Sequence, residues 1–186
     1  MYEEVTLAAV KANSNRTTFP CDVLDGCRTA AAFFSAKFFG ANDVIHLYTH
    51  GLAHIWLNDL DVERLDRMEQ VYGPAVHLLP GDAFDVGTAL AAEGGRFDVV
   101  VCDPFPALMR RCAADECGTF FALAARWVIA GVSGSLFHDL GIEPTAQTYE
   151  SWLRDRGHAR IRVDRLVMRN PTTNQGIYWA VLRTDG

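Results

Sequence analysis

Short apolar runs alternate with segments of helical periodicity along this chain of 186 residues. Side chains alternate between two faces in a strand and repeat every 3.6 residues in a helix, so these segments predict strands and helices respectively. The predicted strands cover residues 21–26, 54–61, 75–82, 97–105 and 131–139, and two further strands cover 159–169 and 176–184. The predicted helices cover residues 28–40, 62–73, 86–95, 118–130 and 145–157.

The order of these elements indicates the fold class. Strands that alternate with helices form a parallel sheet covered on both faces, with right-handed crossovers. The run FDVVVCDPF at 97–105 is apolar on both faces, as a central parallel strand must be, and the last two strands flank a turn sequence, NPTTNQ, at 170–175. We therefore predict an α/β fold with a mostly parallel, doubly wound Rossmann-like sheet and a C-terminal antiparallel hairpin. We expect a single domain, residues 1–186, with a leading segment at 1–20.

Residues 41–53 leave two alternatives for the start of the sheet. If residues 21–26 form the first strand, the segment 41–53 is an extra bent strand or a small insertion before the second strand. If DVIHLYTH at 43–50 is the first strand, residues 21–40 become a leading helix and no helix remains between the first two strands. The first alternative leaves fewer anomalies, and we adopt it.

Composition limits the environment and the partners. No apolar run reaches membrane-spanning length, and the first residues lack the basic start and apolar core of a secretory signal, so we expect a cytoplasmic protein with no membrane partner. The net charge of −6 and the pI near 5.4 disfavour a protein that grips phosphates non-specifically. The five cysteines form no CxxC pair, which predicts reduced thiols rather than a disulfide framework.

Three histidines, His46, His50 and His54, are spaced four residues apart. On a helix they would share one face and suit zinc or another divalent ion. However, the β-branched and aromatic residues around them and Gly51 favour extended chain, in which the outer two would lie about 26 Å apart at about 3.3 Å per residue. We therefore predict no metal site, although a turn at Gly51 would bring two of the three together.

Acidic residues and glycines follow the first four predicted strands. Ligands of such sheets bind beyond the carboxyl ends of the strands, where the strand order reverses. These residues are therefore candidates for one binding site: Asp25 and Gly26, Asp59 and Asp61, Gly81 and Asp82, and Asp103.

The order of four segments, VLDGCRTAAAFF, LNDLDVERL, PGDAF and VVVCDPF, resembles class I S-adenosylmethionine-dependent methyltransferases. The resemblance implies S-adenosylmethionine as cofactor. It places the turn of Asp25 and Gly26 beside the methionine end of that cofactor, and Asp59, with Asp61 in reserve, on the ribose hydroxyls. It also implies that Asp82, the backbone of Ala83 and the ring of Phe84 contact the adenine.

The tetrapeptide CDPF at 102–105 resembles the Asp-Pro-Pro-aromatic signature of amino-nitrogen methyltransferases. Together with NDLD at 58–61 it is similar to enzymes that methylate exocyclic amines of guanine in transfer RNA. By this resemblance Asp103 would hold the amine, Pro104 would fix the turn and Phe105 would stack on the base. The implied substrate is an amino nitrogen of an RNA or DNA base or of a small molecule. The sequence is also compatible with a homo-oligomer or with a complex that contains a partner subunit.

Two other classes of protein are alternatives to an active methyltransferase. The segment DGCRTA has one glycine where the resembled family usually has several, which favours a catalytically decayed subunit that acts as a binding or scaffold partner. A nicotinamide-dependent oxidoreductase is disfavoured because no G-x-G-x-x-G follows any predicted strand.

Overall fold

The structure, a computed structural model, describes residues 7–8, 18–35, 42–103, 117–169 and 176–184. Within these residues seven strands form one sheet in the order β3-β2-β1-β4-β5-β7-β6. The strands are β1 (Thr29–Phe33), β2 (His54–Asp59), β3 (Val76–Pro80), β4 (Phe97–Cys102), β5 (Ala124–Ser133), β6 (Ile161–Met168) and β7 (Ile177–Thr184). The helices are α1 (Asn42–Thr49), α2 (Val62–Tyr72), α3 (Ala83–Ala92), α4 (Cys117–Leu123), α5 (Gly134–Leu140) and α6 (Ala146–Asp155), with short 3-10 helices at Cys21–Leu24 and Gly73–Ala75.

The first five strands are parallel, and β7 pairs antiparallel with both β5 and β6. This confirms the predicted fold class, including the C-terminal hairpin. The chain moves outward from β1 through β2 to β3 and then returns to β4 on the other side of β1, so the strand order reverses between β1 and β4. The carboxyl ends of these four strands therefore share one edge of the sheet, here called the carboxyl edge.

The predicted start of the sheet is wrong. Residues 21–26 form a 3-10 helix and a turn instead of the first strand, and β1 lies inside the predicted helix 28–40. Alanine favours helices, but the three alanines of β1 are fully buried between strands and under both layers of helices. Residues 42–49, which both alternatives treated as extended or left unassigned, form α1 between β1 and β2.

A second error lies around β5. Residues 118–130 were predicted as one helix and 131–139 as a strand, whereas the helix ends at Leu123, β5 follows, and α5 begins at Gly134. The Ser133 hydroxyl accepts a hydrogen bond from the Ser135 backbone N–H and caps α5, which ends the strand there.

The remaining predicted elements are confirmed, with boundaries that differ by a few residues. They are the strands predicted at 54–61, 75–82, 97–105, 159–169 and 176–184 and the helices predicted at 62–73, 86–95 and 145–157. The turn sequence at 170–175 lies outside the described residues.

Both faces of the sheet are covered by apolar packing. One cluster includes Ala31, Phe33 and Val100 from the central strands and packs under α3, α4, α5 and α6. The other includes Ala30 and Ala32 and packs under α1 and α2. Alternation along each strand sends successive side chains to opposite clusters, which is why the central strands read as continuous apolar runs. No helix among the described residues is long and apolar enough to cross a membrane.

Asp98, in β4, is hydrogen-bonded to the amino end of β1. Its Oδ2 accepts hydrogen bonds from the backbone N–H groups of Arg28 (2.7 Å) and Thr29 (3.0 Å) and from the Thr29 hydroxyl (3.1 Å). Burial acts to raise the pKa of the Asp98 carboxyl, but these hydrogen bonds and the charge of Arg126 outweigh it and lower the pKa below its ordinary value.

Because this pKa is lowered in the folded state, the stabilisation by Asp98 is present above the ordinary carboxyl pKa and is lost as the pH falls through the lowered value. We expect Asp98→Asn to lower the free energy of unfolding by about 1–2 kcal/mol at neutral pH, and the difference from wild type to shrink in acid. Urea unfolding of the variant and of wild type between about pH 7 and pH 3 measures this difference in the free energy of unfolding. A difference that stays constant with pH would contradict the assignment.

Candidate functional site at the carboxyl edge

Asp59 ends β2 at the carboxyl edge, opposite Pro80 in the register with β3. Its side chain is half-buried, and its Oδ1 accepts a hydrogen bond from the Asp61 backbone N–H at 3.1 Å. Asp61 has a different role, because its side chain caps α2 by accepting from the Arg64 backbone N–H and also pairs with the Arg64 guanidinium. Asp59 is therefore the better candidate to bind hydroxyl groups of a ligand.

Leu60, between the two acids, is 71% exposed. It is one of two large hydrophobic side chains that stand out as exposed within the described residues, and the other is Val62. An apolar side chain beside a carboxylate at a strand end offers a contact surface for one face of a planar ligand group. Leu60 was absent from the sequence-based site.

Asn58 links three strand ends and was also missed by the sequence analysis. This residue is 1% exposed, and its Nδ2 donates to the carbonyl groups of Leu79 (2.7 Å) and Gly81 (3.0 Å). Its own carbonyl accepts from the backbone N–H (3.0 Å) and the hydroxyl (3.1 Å) of Ser35, just beyond β1. The side-chain Oδ1 of Asn58 is buried and has no hydrogen-bond partner among the described residues. An asparagine within an otherwise apolar strand was the available signal.

Phe34 follows β1 at the turn where a glycine would be expected. Its φ of 60° lies in the left-handed region, which residues other than glycine rarely adopt. The ring contacts Phe84 and Phe120, with centroids 6.0 and 6.3 Å away. Aromatic packing therefore holds Phe34 in a strained conformation at the edge of the site.

Asp82 caps α3 at the end of the turn after β3. Its Oδ1 accepts hydrogen bonds from the backbone N–H groups of Phe84 (2.9 Å) and Asp85 (3.3 Å). Gly81 before it has a φ of 132° and donates its N–H to the Asp59 carbonyl at 3.0 Å, so this turn is fastened to the end of β2. Ala83 and Phe84 are buried, and the Phe84 ring packs in the core.

Asp103 follows β4 and is 3% exposed. Nη1 of Arg169 lies 2.9 Å from both carboxylate oxygens of Asp103, and the Arg169 guanidinium carbon lies 4.7 Å from the centroid of the Trp179 ring. The Arg169 backbone is held on both sides, because its N–H donates to Ile177 and its carbonyl accepts from Thr18, each at 2.8 Å. The carboxylate is therefore charge-paired and fixed. Pro104 and Phe105, the other two predicted catalytic residues, lie outside the described residues.

Gly131 in β5 provides the space that the Asp103 carboxylate occupies. A Cβ atom at this position would lie 2.6 Å from Oδ1 of Asp103, closer than Cβ atoms approach other atoms. We expect Gly131→Ala to displace the carboxylate and to lower the free energy of unfolding by about 1–3 kcal/mol.

Gly118→Ala is the matched control for this prediction, because its added methyl group would meet its nearest atom, on His158, at 3.4 Å. Thermal unfolding gives the midpoint temperature of each variant, and we expect a lower midpoint for Gly131→Ala. Equal midpoints for the two would show that the space at Gly131 is unimportant.

Asp25 and Gly26 require a correction. They lie in the turn before β1, at the opposite edge of the sheet from the carboxyl ends, because the segment predicted as the first strand is a 3-10 helix. The Asp25 side chain is 83% exposed and pairs with His50 at 3.2 Å. We therefore exclude both residues from the candidate site, whose described members converge from β1, β2, β3 and β4.

The three evenly spaced histidines do not converge. His46 lies in α1, with Nδ1 at 3.6 Å from the Cys21 sulfur, whereas His50 pairs with Asp25 and His54 begins β2. Burial lowers the pKa of His46 and raises the pKa of the Cys21 thiol, the latter with help from the charge of Asp22. No group of three or more His, Cys, Asp or Glu side chains in the described part of the chain is arranged to hold a metal ion.

Comparison with known proteins gives the fold a context. No family model and no curated protein matches the sequence. Among solved structures, the chain is similar to SMU.776, described as a methyltransferase and complexed with SAH, with 12% identity, a TM-score of 0.60 and coverage of 88% of this chain and 47% of that one. It thus spans about half the length of that protein.

Two further solved structures are covered over most of their length. The Methanococcus jannaschii fibrillarin pre-rRNA processing protein has 9% identity, a TM-score of 0.60 and coverage of 100% of this chain and 77% of that one. The 16S rRNA methylase ArmA has 10% identity, a TM-score of 0.53 and coverage of 96% and 82%. The chain therefore has the class I Rossmann-like fold found in S-adenosylmethionine-dependent methyltransferases.

Proposed function

We propose that this protein is an S-adenosylmethionine-dependent methyltransferase. The observation that carries the proposal is the arrangement of the carboxyl edge, where a half-buried carboxylate, an exposed apolar side chain and a fixed carboxylate follow β2 and β4. They flank the reversal of strand order, where sheets of this kind bind ligands. The solved structure of SMU.776, a protein of similar fold, holds SAH.

The residues at this edge fit an adenosine group. The Asp59 carboxylate is placed to accept hydrogen bonds from the two ribose hydroxyls, and Leu60 offers an apolar contact to the adenine. The buried Oδ1 of Asn58, unpartnered among the described residues, offers an additional acceptor at the same edge. We retain Asp82 as a residue proposed to contact the adenine, although its observed hydrogen bonds are with the α3 backbone.

Asp103 would hold the substrate amine. When bound, S-adenosylmethionine supplies an electrophilic methyl group on a sulfonium and leaves as S-adenosylhomocysteine. An amine N–H donated to the Asp103 carboxylate would turn the nitrogen lone pair towards that methyl group, and fixed orientation of this kind supplies much of the rate of such reactions. The nitrogen would form the new N–CH₃ bond as the bond from the methyl carbon to sulfur breaks, and it would then lose a proton to solvent.

The proposed substrate is an amino nitrogen of a nucleic-acid base or of a small molecule. The CDPF segment supports an amine, and two proteins of similar fold, ArmA and the fibrillarin protein, are named for ribosomal RNA or its precursor. The net charge of −6 favours a nucleic acid presented by a partner subunit over autonomous binding. We retain Pro104 and Phe105 as the residues proposed to fix the turn and stack on the base.

A subunit without catalytic activity is the second candidate. Phe34, with its left-handed backbone, occupies the turn at which a glycine would let a ligand approach the main chain. A protein of this kind would stabilise an active partner and would bind no cofactor by itself.

Transfer of a tritiated methyl group from S-adenosylmethionine tests the proposal. The acceptors are nucleosides, ribosomal and transfer RNA lacking modifications, and small primary amines. We expect label in one acceptor class, and we expect Asp103→Asn to bind cofactor normally but to lose turnover by about a hundredfold or more, because the amide changes the hydrogen bonding offered to the amine. Equal loss of cofactor binding and turnover in this variant would contradict the role given to Asp103.

A further inference from the structure

A pair of histidines at the outer edge of the sheet is not used by the proposed function. His54 begins β2 and His77 lies in the edge strand β3. Their Nδ1 and Nε2 atoms, respectively, are 3.1 Å apart. Sequence analysis had grouped His54 with His46 and His50, but the fold gives it this different partner, 23 positions along the chain.

The strand register explains why the two imidazoles meet. Trp56 lies directly opposite His77 in the parallel pairing of β2 with β3, and His54, two residues before Trp56, points to the same face of the sheet. The Trp56 ring packs against both, with its centroid 4.7 Å from that of His77 and 5.8 Å from that of His54. The two imidazoles are therefore positioned by the pairing of β2 with β3 and by contact with the Trp56 ring.

The contact requires one of its two ring nitrogens to be unprotonated. A hydrogen bond between two ring nitrogens needs one N–H and one unprotonated nitrogen, so at least one imidazole is neutral. His54 is exposed and His77 is half-buried, so solvent reaches the pair. No carboxylate or cation among the described residues forms an ion pair with either imidazole.

The spacing also suits a metal ion. Two nitrogens bound to one ion at about 2.0–2.1 Å, with an angle of about 90–110° between the bonds, lie about 2.9–3.4 Å apart. The separation of 3.1 Å between the two ring nitrogens falls inside this range. Imidazole nitrogen is a preferred ligand of Ni²⁺, Cu²⁺ and Zn²⁺, and two ligands on adjacent strands bind one ion together.

We propose that His54 and His77 form a two-histidine chelating site for a divalent transition-metal ion, with water in the remaining coordination positions. When the ion binds, the proton at the contact moves to the other nitrogen of its ring or to solvent. Both contacting nitrogens then bind the ion, which links β2 to the edge strand β3. His54 and Asp59 stand at opposite ends of β2, about 17 Å apart at about 3.3 Å per residue, so the site is separate from the carboxyl edge. The proposal does not depend on methyltransferase activity.

Calorimetric titration of the untagged protein with Ni²⁺ tests the proposal, since imidazole nitrogen is a preferred ligand of this ion. We expect one ion per chain. His54→Ala and His77→Ala should each weaken binding about tenfold or more, because each leaves a single imidazole. His77→Gln retains a hydrogen-bonding group and should weaken binding equally. His138→Ala removes an imidazole that is 91% exposed and should bind as wild type does.

Tryptophan fluorescence supplies a second reading that locates the ion. Ni²⁺ should quench the emission of Trp56, and Trp56→Phe should lose most of this change while it still binds the ion in the calorimeter. Circular dichroism checks that each variant is folded. Wild-type protein that binds no Ni²⁺, or histidine variants that bind it as well as wild type does, would overturn the proposal and leave a hydrogen bond only.

Discussion

Replacing Arg169 with methionine is expected to lower the free energy of unfolding by about 3–5 kcal/mol. The reason is the buried carboxylate of Asp103, which is 3% exposed and is paired with Nη1 of Arg169 at 2.9 Å. Methionine fills part of the space but removes the charge of the Arg169 guanidinium from beside the buried carboxylate. Urea unfolding of the purified variant measures the loss.

Two comparisons make this test specific. Arg165→Met removes a more exposed arginine, which pairs with Asp22 and Asp164 at the surface, and it should cost about 1 kcal/mol or less. The double variant Arg169→Met with Asp103→Asn should be more stable than the sum of the single losses predicts, because the two side chains are in direct contact and both charges of the pair are removed together. Similar losses for Arg169→Met and Arg165→Met would contradict the buried pairing.

Replacing Asp59 with alanine is expected to weaken binding of S-adenosylhomocysteine by about a hundredfold or more. Two hydrogen bonds from ribose hydroxyls to a carboxylate are worth about 3 kcal/mol together, and about 1.4 kcal/mol corresponds to a factor of ten in affinity. Calorimetric titration of folded variant and wild type gives the ratio directly.

Asp61→Ala is the matched control, because Asp61 is an acid two residues away that caps α2. Its loss should cost about 1 kcal/mol of stability and leave ligand affinity within about twofold of wild type. If Asp61→Ala weakens binding as much as Asp59→Ala does, the assignment of the ribose acid to Asp59 is wrong.

The errors of prediction from sequence have physical causes that lie in tertiary structure. The alanines of β1 favour a helix locally, yet they lie in a strand between β2 and β4, where they are buried on both faces of the sheet. Conversely, Val44 and Ile45 favour a strand locally but lie in α1, where they pack into the core beneath the sheet. Periodicity alone cannot separate short buried strands from short buried helices.

The candidate site likewise contains some residues that the sequence could predict and others that it could not. Asp59 ends a strand that the apolar pattern predicted correctly, and Asp82 and Asp103 follow two others, so their place at the carboxyl edge was predictable. Arg169 was not, because its contact with Asp103 joins residues 66 positions apart through the pairing of β5, β7 and β6. Asn58 was overlooked beside Asp59, although a polar residue inside an apolar strand indicates a buried hydrogen-bonded group.

Calorimetric titration of the wild-type protein with S-adenosylhomocysteine tests the central claim most directly, because it needs no knowledge of the substrate. We expect one ligand per chain with a dissociation constant of about 1–100 μM, which corresponds to a binding free energy of about 5–8 kcal/mol. Heat no different from that of dilution, from folded protein at about 100 μM, would contradict cofactor binding by the isolated chain and would favour the inactive subunit.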